Sequence, residues 1–187
     1  MDTTPLRVAV IVGSTREGRF GPTVAAWIAG LISRRSDLKA DLIDPAATTP
    51  TARVPAEDRT VTEALGLADA FVVVTPEYNH SYPAPLKALI DGHFGEWRAK
   101  PIAFVSYGGL SGGLRAVEHL RPVFAELHAV TVRDTVSFHG ARQCFGGDGL
   151  PVDPGSTVAA ERMLDGLTWW GNSLRDARVL RPYPMGA

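Results

Sequence analysis

The sequence predicts an α/β fold, a doubly wound domain in which five parallel strands are covered by helices on both faces. Three observations predict it. Short apolar stretches without alternation, the mark of strands buried on both faces, recur along the chain. Segments of helical period separate them. The two kinds alternate as β-α-β-α-β-α-β-α-β-α, an order that right-handed crossovers turn into one parallel sheet with helices above and below.

The strand-like stretches are residues 8–12 (Val, Ala, Val, Ile, Val), 70–74 (Ala, Phe, Val, Val, Val) and 102–105 (Ile, Ala, Phe, Val), with weaker ones at 40–43 and 130–132. After the first stretch, Val24, Trp27, Ile28, Leu31 and Ile32 fall at i, i+3, i+4, i+7 and i+8, so one stripe of that helix faces the sheet. A short helix at 60–67 leads into the third strand. Leu114, Val117, Leu120, Phe124 and Leu127 mark another helix, in which Pro122 removes a backbone donor and should kink it or mark its early turn. Met163, Leu164, Leu167 and Leu174 mark the last. Residues 45–55, rich in Pro, Ala and Thr, and residues 140–155, rich in Gly, read as loops. The expected organisation is one domain over residues 1–180 and a loose tail over 181–187.

Composition narrows the function. With 187 residues, 45% apolar and 21% charged, the chain can bury roughly 70% of its unfolded surface without disulfide or metal staples. Nineteen Lys and Arg against 20 Asp and Glu leave a formal charge of −1 with no like-charge block, which argues against a nucleic-acid surface. The lone Cys144 cannot close an intrachain disulfide, and no run approaches the roughly 18 apolar residues of a membrane span. The N-terminus has neither a basic start nor an apolar stretch of signal length. A reducing cytoplasm is the expected setting, with neither nucleic acid nor membrane as a partner.

In open α/β sheets ligands bind beyond the carboxyl ends of the strands, so the following loops matter most. The first holds Gly13, Ser14, Thr15, Arg16, Glu17, Gly18, Arg19, Phe20 and Gly21, with Pro22 at a first helical position. Hydroxyls and arginines beside a helix N-terminus suit a phosphate. The spacing of Gly13 and Gly18 matches a Walker loop, but Arg19 and Phe20 stand where Lys and Ser/Thr should follow, which disfavours ATP. Thr15 breaks the G-x-G-x-x-G pattern. The second loop, residues 75–85, is stiffened by Pro76, Pro83 and Pro85 and offers Tyr78, Asn79 and free amides, a setting for a flat heteroaromatic ring.

The third loop, residues 106–113, carries four glycines that let backbone approach a ligand. It also contains a formal G-x-S-x-G centred on Ser111, and Asp134 and His139 follow in the order of a serine hydrolase. Against that rival, Tyr107 and Gly108 separate the motif from its strand and no oxyanion loop is evident. His80, His93, His119, His128 and His139 lack metal-ligand spacing. Cys144, five residues beyond His139, reads as an inert loop thiol, and Trp27, Trp169 and Trp170 as core or subunit contacts.

Together the three loops resemble the NADPH-dependent FMN reductases of flavodoxin-like fold, a family that includes quinone, azo-dye and chromate reductases. The resemblance covers residues 8–138. It rests on Thr75, Pro76, Glu77, Tyr78 and Asn79 continuing to Pro83, Leu86, Lys87, Ile90 and Asp91, with Gly13, Ser14 and Arg16 before and residues 108–115 behind. The chain departs from many relatives at Arg19, Phe20 and Gly21, where they carry Ser or Asn, and at Ala88, where they carry Asn.

The resemblance implies a strand order of 2-1-3-4-5 and a cofactor-binding set of Ser14, Thr15, Arg16, Arg19, Phe20, Gly21, Pro76, Glu77, Tyr78, Asn79, Ser106, Gly108 and Gly109. In that set Ser14, Arg16 and neighbouring amides would hold the FMN phosphate. Pro76, Glu77, Tyr78 and Asn79 would border the isoalloxazine, and Gly108 with Gly109 would close its other side. The implied reaction takes hydride from NADPH or NADH and reduces a small acceptor such as a quinone or free flavin, with no catalytic acid or nucleophile from the protein. A homodimer or homotetramer is implied, in which Tyr82, His93, Phe94 and Trp97 of a partner would cover the ring. A non-catalytic FMN electron carrier is the alternative, although such carriers are strongly acidic and this chain is not.

Overall fold

The computed structural model describes residues 4–47 and 59–184. Residues 48–58, including most of the predicted Pro-, Ala- and Thr-rich loop, and 185–187 lie outside the described part. Among the described residues five strands alternate with five helices: β1 (Leu6–Val12), α1 (Gly21–Ser33), β2 (Leu38–Ile43), α2 (Arg59–Leu67), β3 (Ala70–Pro76), α3 (Ala84–Asp91), β4 (Pro101–Gly108), α4 (Leu114–Glu126), β5 (Val130–His139) and α5 (Gly155–Leu180). A short 3-10 helix, Ala141–Gln143, follows β5. The strands form one parallel sheet in the order β2-β1-β3-β4-β5, as expected for a flavodoxin-like domain.

The apolar strands do not alternate because both sheet faces are covered. Val8, Val10, Val12, Val72 and Val74 pack against Trp27, Ile28, Met163 and Leu164 of α1 and α5. Ala9, Ile11, Phe71 and Val73 pack on the other side against Val61, Leu65, Leu86, Leu89 and Phe124 of α2, α3 and α4. Each fully buried Val, Leu or Phe side chain contributes about 1.5–3 kcal/mol of transfer free energy, so two filled layers hold the strand ends that carry the loops.

Strand β5 runs from Val130 to His139, well beyond the stretch read from sequence. It is an edge strand. Val132, Val136 and Phe138 reach the core while Arg133, Asp134 and Thr135 stay partly or fully exposed, and its register shifts against β4 between Ile102 and Phe104. Half-polar edges lack the continuous apolar signal of central strands. Pro122 lies inside α4, past its first turn.

Two aromatic expectations change. Trp97 is fully buried in this chain's own core, 4.8 Å from the Phe71 ring, and its Nε1 donates to the His93 carbonyl at 2.8 Å. His93 is buried beside it, its Nδ1 donating to the Leu89 carbonyl at 2.8 Å and its Nε2 accepting from the Thr62 hydroxyl at 3.0 Å. Neither side chain can reach a partner's ring. Of the tryptophans read as core or subunit contacts, Trp27 is core, and Trp169 and Trp170 are exposed on α5, edge to face at 5.0 Å, so they are not part of this chain's core.

Candidate functional site

Four loops at the carboxyl ends of β1, β3, β4 and β5 enclose a cleft of about 490 Å³, within the usual range for small-molecule sites. The β1 loop begins at Gly13, whose N–H donates to the Val74 carbonyl at 2.8 Å. A Cβ there would lie 3.0 Å from that same oxygen, so the close crossing of β1 and β3 requires glycine. Ser14 is fully buried and its hydroxyl shares a short 2.5 Å hydrogen bond with the Tyr78 hydroxyl. Arg16 lays its guanidinium 3.6 Å from the Tyr78 ring centroid, a cation–π contact that props the ring upright. Arg19 pairs with Asp44 at 2.5 Å, and its Nε is buried without a hydrogen-bond partner. Helix α1 then starts at Gly21 and Pro22 with no side-chain cap. Pro22 has no N–H, the Thr23 and Val24 amides turn back to the Phe20 carbonyl, and the Gly21 amide meets the Tyr107 hydroxyl, so α1 offers its dipole while its first N–H groups are already spent on the protein.

The β3 loop makes a two-residue turn in which Tyr78 and Ser81 exchange both backbone hydrogen bonds. Asn79 and His80 between them take left-handed φ values of 51° and 73°, as a primed hairpin turn demands. Glu77 points away from that turn, into the β4 loop. Its carboxylate accepts from the Ser111 hydroxyl at 2.7 Å and pairs with the Arg115 guanidinium at 2.6 Å, with only 7% of its side chain exposed. Arg115 also donates to His80 Nδ1 at 3.0 Å. Burial alone would raise the Glu77 carboxyl, but the Ser111 hydroxyl and the Arg115 charge outweigh it and hold the group below the usual glutamate value.

A carboxyl so depressed adds stability above its unfolded value and loses it as pH falls through the folded one. Glu77→Gln is therefore expected to cost about 1.5–3 kcal/mol near neutral pH, the scale of hydrogen bonds to a charged group. Urea denaturation of both proteins should show that gap closing in acid. A gap independent of pH would sink the assignment.

The β4 loop is clamped from beneath. Ser106 and Ser137 both donate to the Gly112 carbonyl at 2.8 Å, and Gly112 and Gly113 occupy left-handed φ values of 60° and 85°. Tyr107 closes the floor, its hydroxyl so near Gly21 that a Cβ there would lie 2.8 Å away. Burial holds that phenol well above its ordinary value. The β5 loop supplies the fourth wall: Gly140 donates to the Gly109 carbonyl at 3.0 Å, and Arg142 Nη2 donates to the Gly18 carbonyl at 2.9 Å.

Of the predicted site residues, Arg16, Arg19, Phe20, Pro76, Glu77, Tyr78, Gly108 and Gly109 line the cleft. Ser14, Thr15, Gly21, Asn79 and Ser106 do not; Ser14 and Ser106 spend their hydroxyls inside the protein. Tyr107, Gly140, Ala141, Arg142 and Gln143 line it without having been singled out. The glycine at 140, placed just after a strand, was the available signal; reading β5 as ending at 132 hid it.

The hydrolase arrangement is not assembled. Ser111 donates to Glu77, His139 Nδ1 donates to the Leu110 carbonyl at 2.9 Å, and Asp134 pairs with Arg133 at 3.1 Å. Among the described residues no group of three or more His, Cys, Asp or Glu could hold a metal ion.

A sequence model of the NADPH-dependent FMN reductase family matches residues 6–143, from β1 through the 3-10 helix. An NAD(P)H-dependent FMN reductase of Schizosaccharomyces pombe is 39% identical over 120 residues, 57% of this chain and 60% of its own length. The match thus spans less than two thirds of that relative. A quinone reductase of Escherichia coli is 31% identical over 181 residues, covering 87% of this chain and 90% of its own. Among solved structures, the flavoenzyme NAD(P)H:(acceptor) oxidoreductase FerB from Paracoccus denitrificans superimposes with a TM-score of 0.70 at 22% identity, over 90% of this chain and 98% of that one, a likeness of fold.

Proposed function

Because the chain belongs to the NADPH-dependent FMN reductase family, we propose that it binds FMN in this cleft and passes electrons from NADPH or NADH to a small acceptor such as a quinone or free flavin. The observation that carries the reading is that one cleft joins two different chemistries. The Arg16 guanidinium, stacked on the Tyr78 ring near the start of α1, and the bare backbone of Gly108 and Gly109 line it together.

The residues present fit that cofactor. A Cβ built at Gly109 or at Gly18 meets no protein atom within 4 Å, so side chains there would occupy ligand space. The unanswered Nε of Arg19 marks the phosphate end as short of an acceptor. Arg16 and the amides following Thr15 would hold the phosphate, with the α1 dipole adding to the field. Tyr78 and Pro76 would border one side of the ring system, and the amides of Gly108 and Gly109 would face its polar edge.

Bound FMN supplies the redox chemistry, taking up a hydride equivalent and giving up two electrons. The protein's part is positioning and electrostatics. Ser14 holds Tyr78 by its hydroxyl, Arg16 braces the ring, and Ser106 with Ser137 fixes the turn that presents Gly108 and Gly109. Glu77 locks the β3 loop to the β4 loop, so the two walls keep their spacing when ligands exchange. The proposed reaction asks for no nucleophile or general base from the protein.

We also propose a homo-oligomer and a cytoplasmic setting. Exposed Phe94 and half-buried Tyr82 are the side chains still available to a partner's cleft, and the lone Cys144 suits a reducing compartment. The purified protein, given FMN and a quinone, is expected to oxidise NADPH faster than free flavin does. Turnover no faster than free flavin, with FMN nonetheless bound, would replace the enzyme by an electron carrier.

A further inference from the structure

The charges of this cleft are unevenly answered. Arg19 is paired with Asp44, and Glu77 is committed to Arg115. Arg16 and Arg142 form no ion pair among the described residues, and neither does exposed Glu17, the other acid of the lining. A cleft reserved for FMN alone would meet one phosphate, which the reading above gives to Arg16 and the α1 dipole. Arg142 is the cation left over.

Its placement differs from that of Arg16. Arg142 comes from the short helix after β5, is exposed, and is steadied by two contacts: Nη2 donates to the Gly18 carbonyl, and the guanidinium lies 5.6 Å from the Phe20 ring. Nε and Nη1 have no partner among the described residues. A guanidinium held by one nitrogen with its remaining donors turned to solvent is pre-organised for a phosphate that arrives from outside and leaves again. A hydride-donating dinucleotide must enter this same cleft, and it carries phosphates beyond the one in FMN.

We propose that Arg142 anchors the pyridine dinucleotide by pairing with one of its phosphates, leaving the flavin phosphate to Arg16. The inference rests on the reductase reading above. Its test uses Arg142→Gln, which removes the charge and leaves a shorter neutral polar side chain, and Arg142→Lys, which restores the charge. Three quantities are measured: FMN Kd by fluorescence, NADP+ Kd of the FMN-loaded protein by calorimetry, and kcat and KM for NADPH and for NADH.

Loss of a charged contact predicts that Arg142→Gln raises the dinucleotide KM and the NADP+ Kd by roughly 10- to 100-fold, with kcat and FMN Kd unchanged. Arg142→Lys should recover part of the loss. A loss confined to NADP(H) places Arg142 on the 2′-phosphate and an equal loss for NADH places it on the pyrophosphate; both sustain the proposal. A rise in FMN Kd, alone or with KM, overturns it by assigning Arg142 to the flavin phosphate, and so does an unchanged KM. Wild-type protein that oxidises neither dinucleotide with FMN present overturns the reductase reading itself, whatever the variants do.

Discussion

Arg16→Ala is expected to weaken FMN binding by about 1.5–3 kcal/mol, roughly a 10- to 150-fold rise in Kd. Two losses combine. The charged hydrogen bonds to the phosphate disappear, and Tyr78 loses the guanidinium that lies 3.6 Å from its ring. Arg16 is exposed and forms no ion pair among the described residues, so the folded state should change by no more than about 0.5 kcal/mol. Fluorescence titration of FMN into the apoprotein, with a urea denaturation curve alongside, separates these effects. Unchanged affinity would remove Arg16 from the phosphate site.

Gly113→Ala should instead act on the fold, at a cost of roughly 2–4 kcal/mol from left-handed strain and overpacking combined. Gly113 sits at φ 85° immediately before α4, and a Cβ there would lie 2.8 Å from the Ser106 Cβ and 3.1 Å from both the N and O of Tyr107. Backbone atoms of a central strand cannot retreat without breaking the β4 ladder. The turn would have to open, and the adjoining Gly108 and Gly109 would move with it, so FMN affinity should fall too. Gly109→Ala is the contrast: its added methyl meets no protein atom within 4 Å, so stability should hold while FMN affinity drops. Urea midpoints and FMN titrations of both variants decide the matter. A Gly113→Ala protein as stable as wild type would show that this turn is not held in place.

Much of the fold was legible because central strands buried on both faces leave uninterrupted apolar runs, as in residues 70–74 and 102–105. The edge strand was not. Polar residues such as Arg133 and Asp134 break the run in β5, whose pairing comes from β4 and not from its own hydrophobicity. The site shows the same division. Gly13, Arg16 and Tyr78 announced themselves by residue type and place after a strand. Arg142 lies in a stretch whose nearness to Gly18 depends on how far β5 extends.

Function was partly legible for a similar reason. A G-x-S-x-G pattern and a Ser-Asp-His order are one-dimensional facts, and the folded loops send Ser111 to Glu77 and His139 to the Leu110 carbonyl instead. The resemblance implied that Trp97 and His93 cover a partner's ring, yet Trp97 fills a gap beside Phe71 that only the packed α2, α3 and α4 layer creates, with His93 buried next to it.

The amino-acid order alone determined the class of fold, most of the loops that line the candidate cleft and the side chains those loops offer. Periodicity, glycine and charge act locally, or through burial that any doubly wound sheet provides. Only the tertiary structure decided which polar groups are spent on the protein and which remain for a ligand. Ser14, Glu77 and Arg19 find partners distant in sequence, while Arg16 and Arg142 form no ion pair among the described residues. That division follows from distances between loops, which no local pattern encodes.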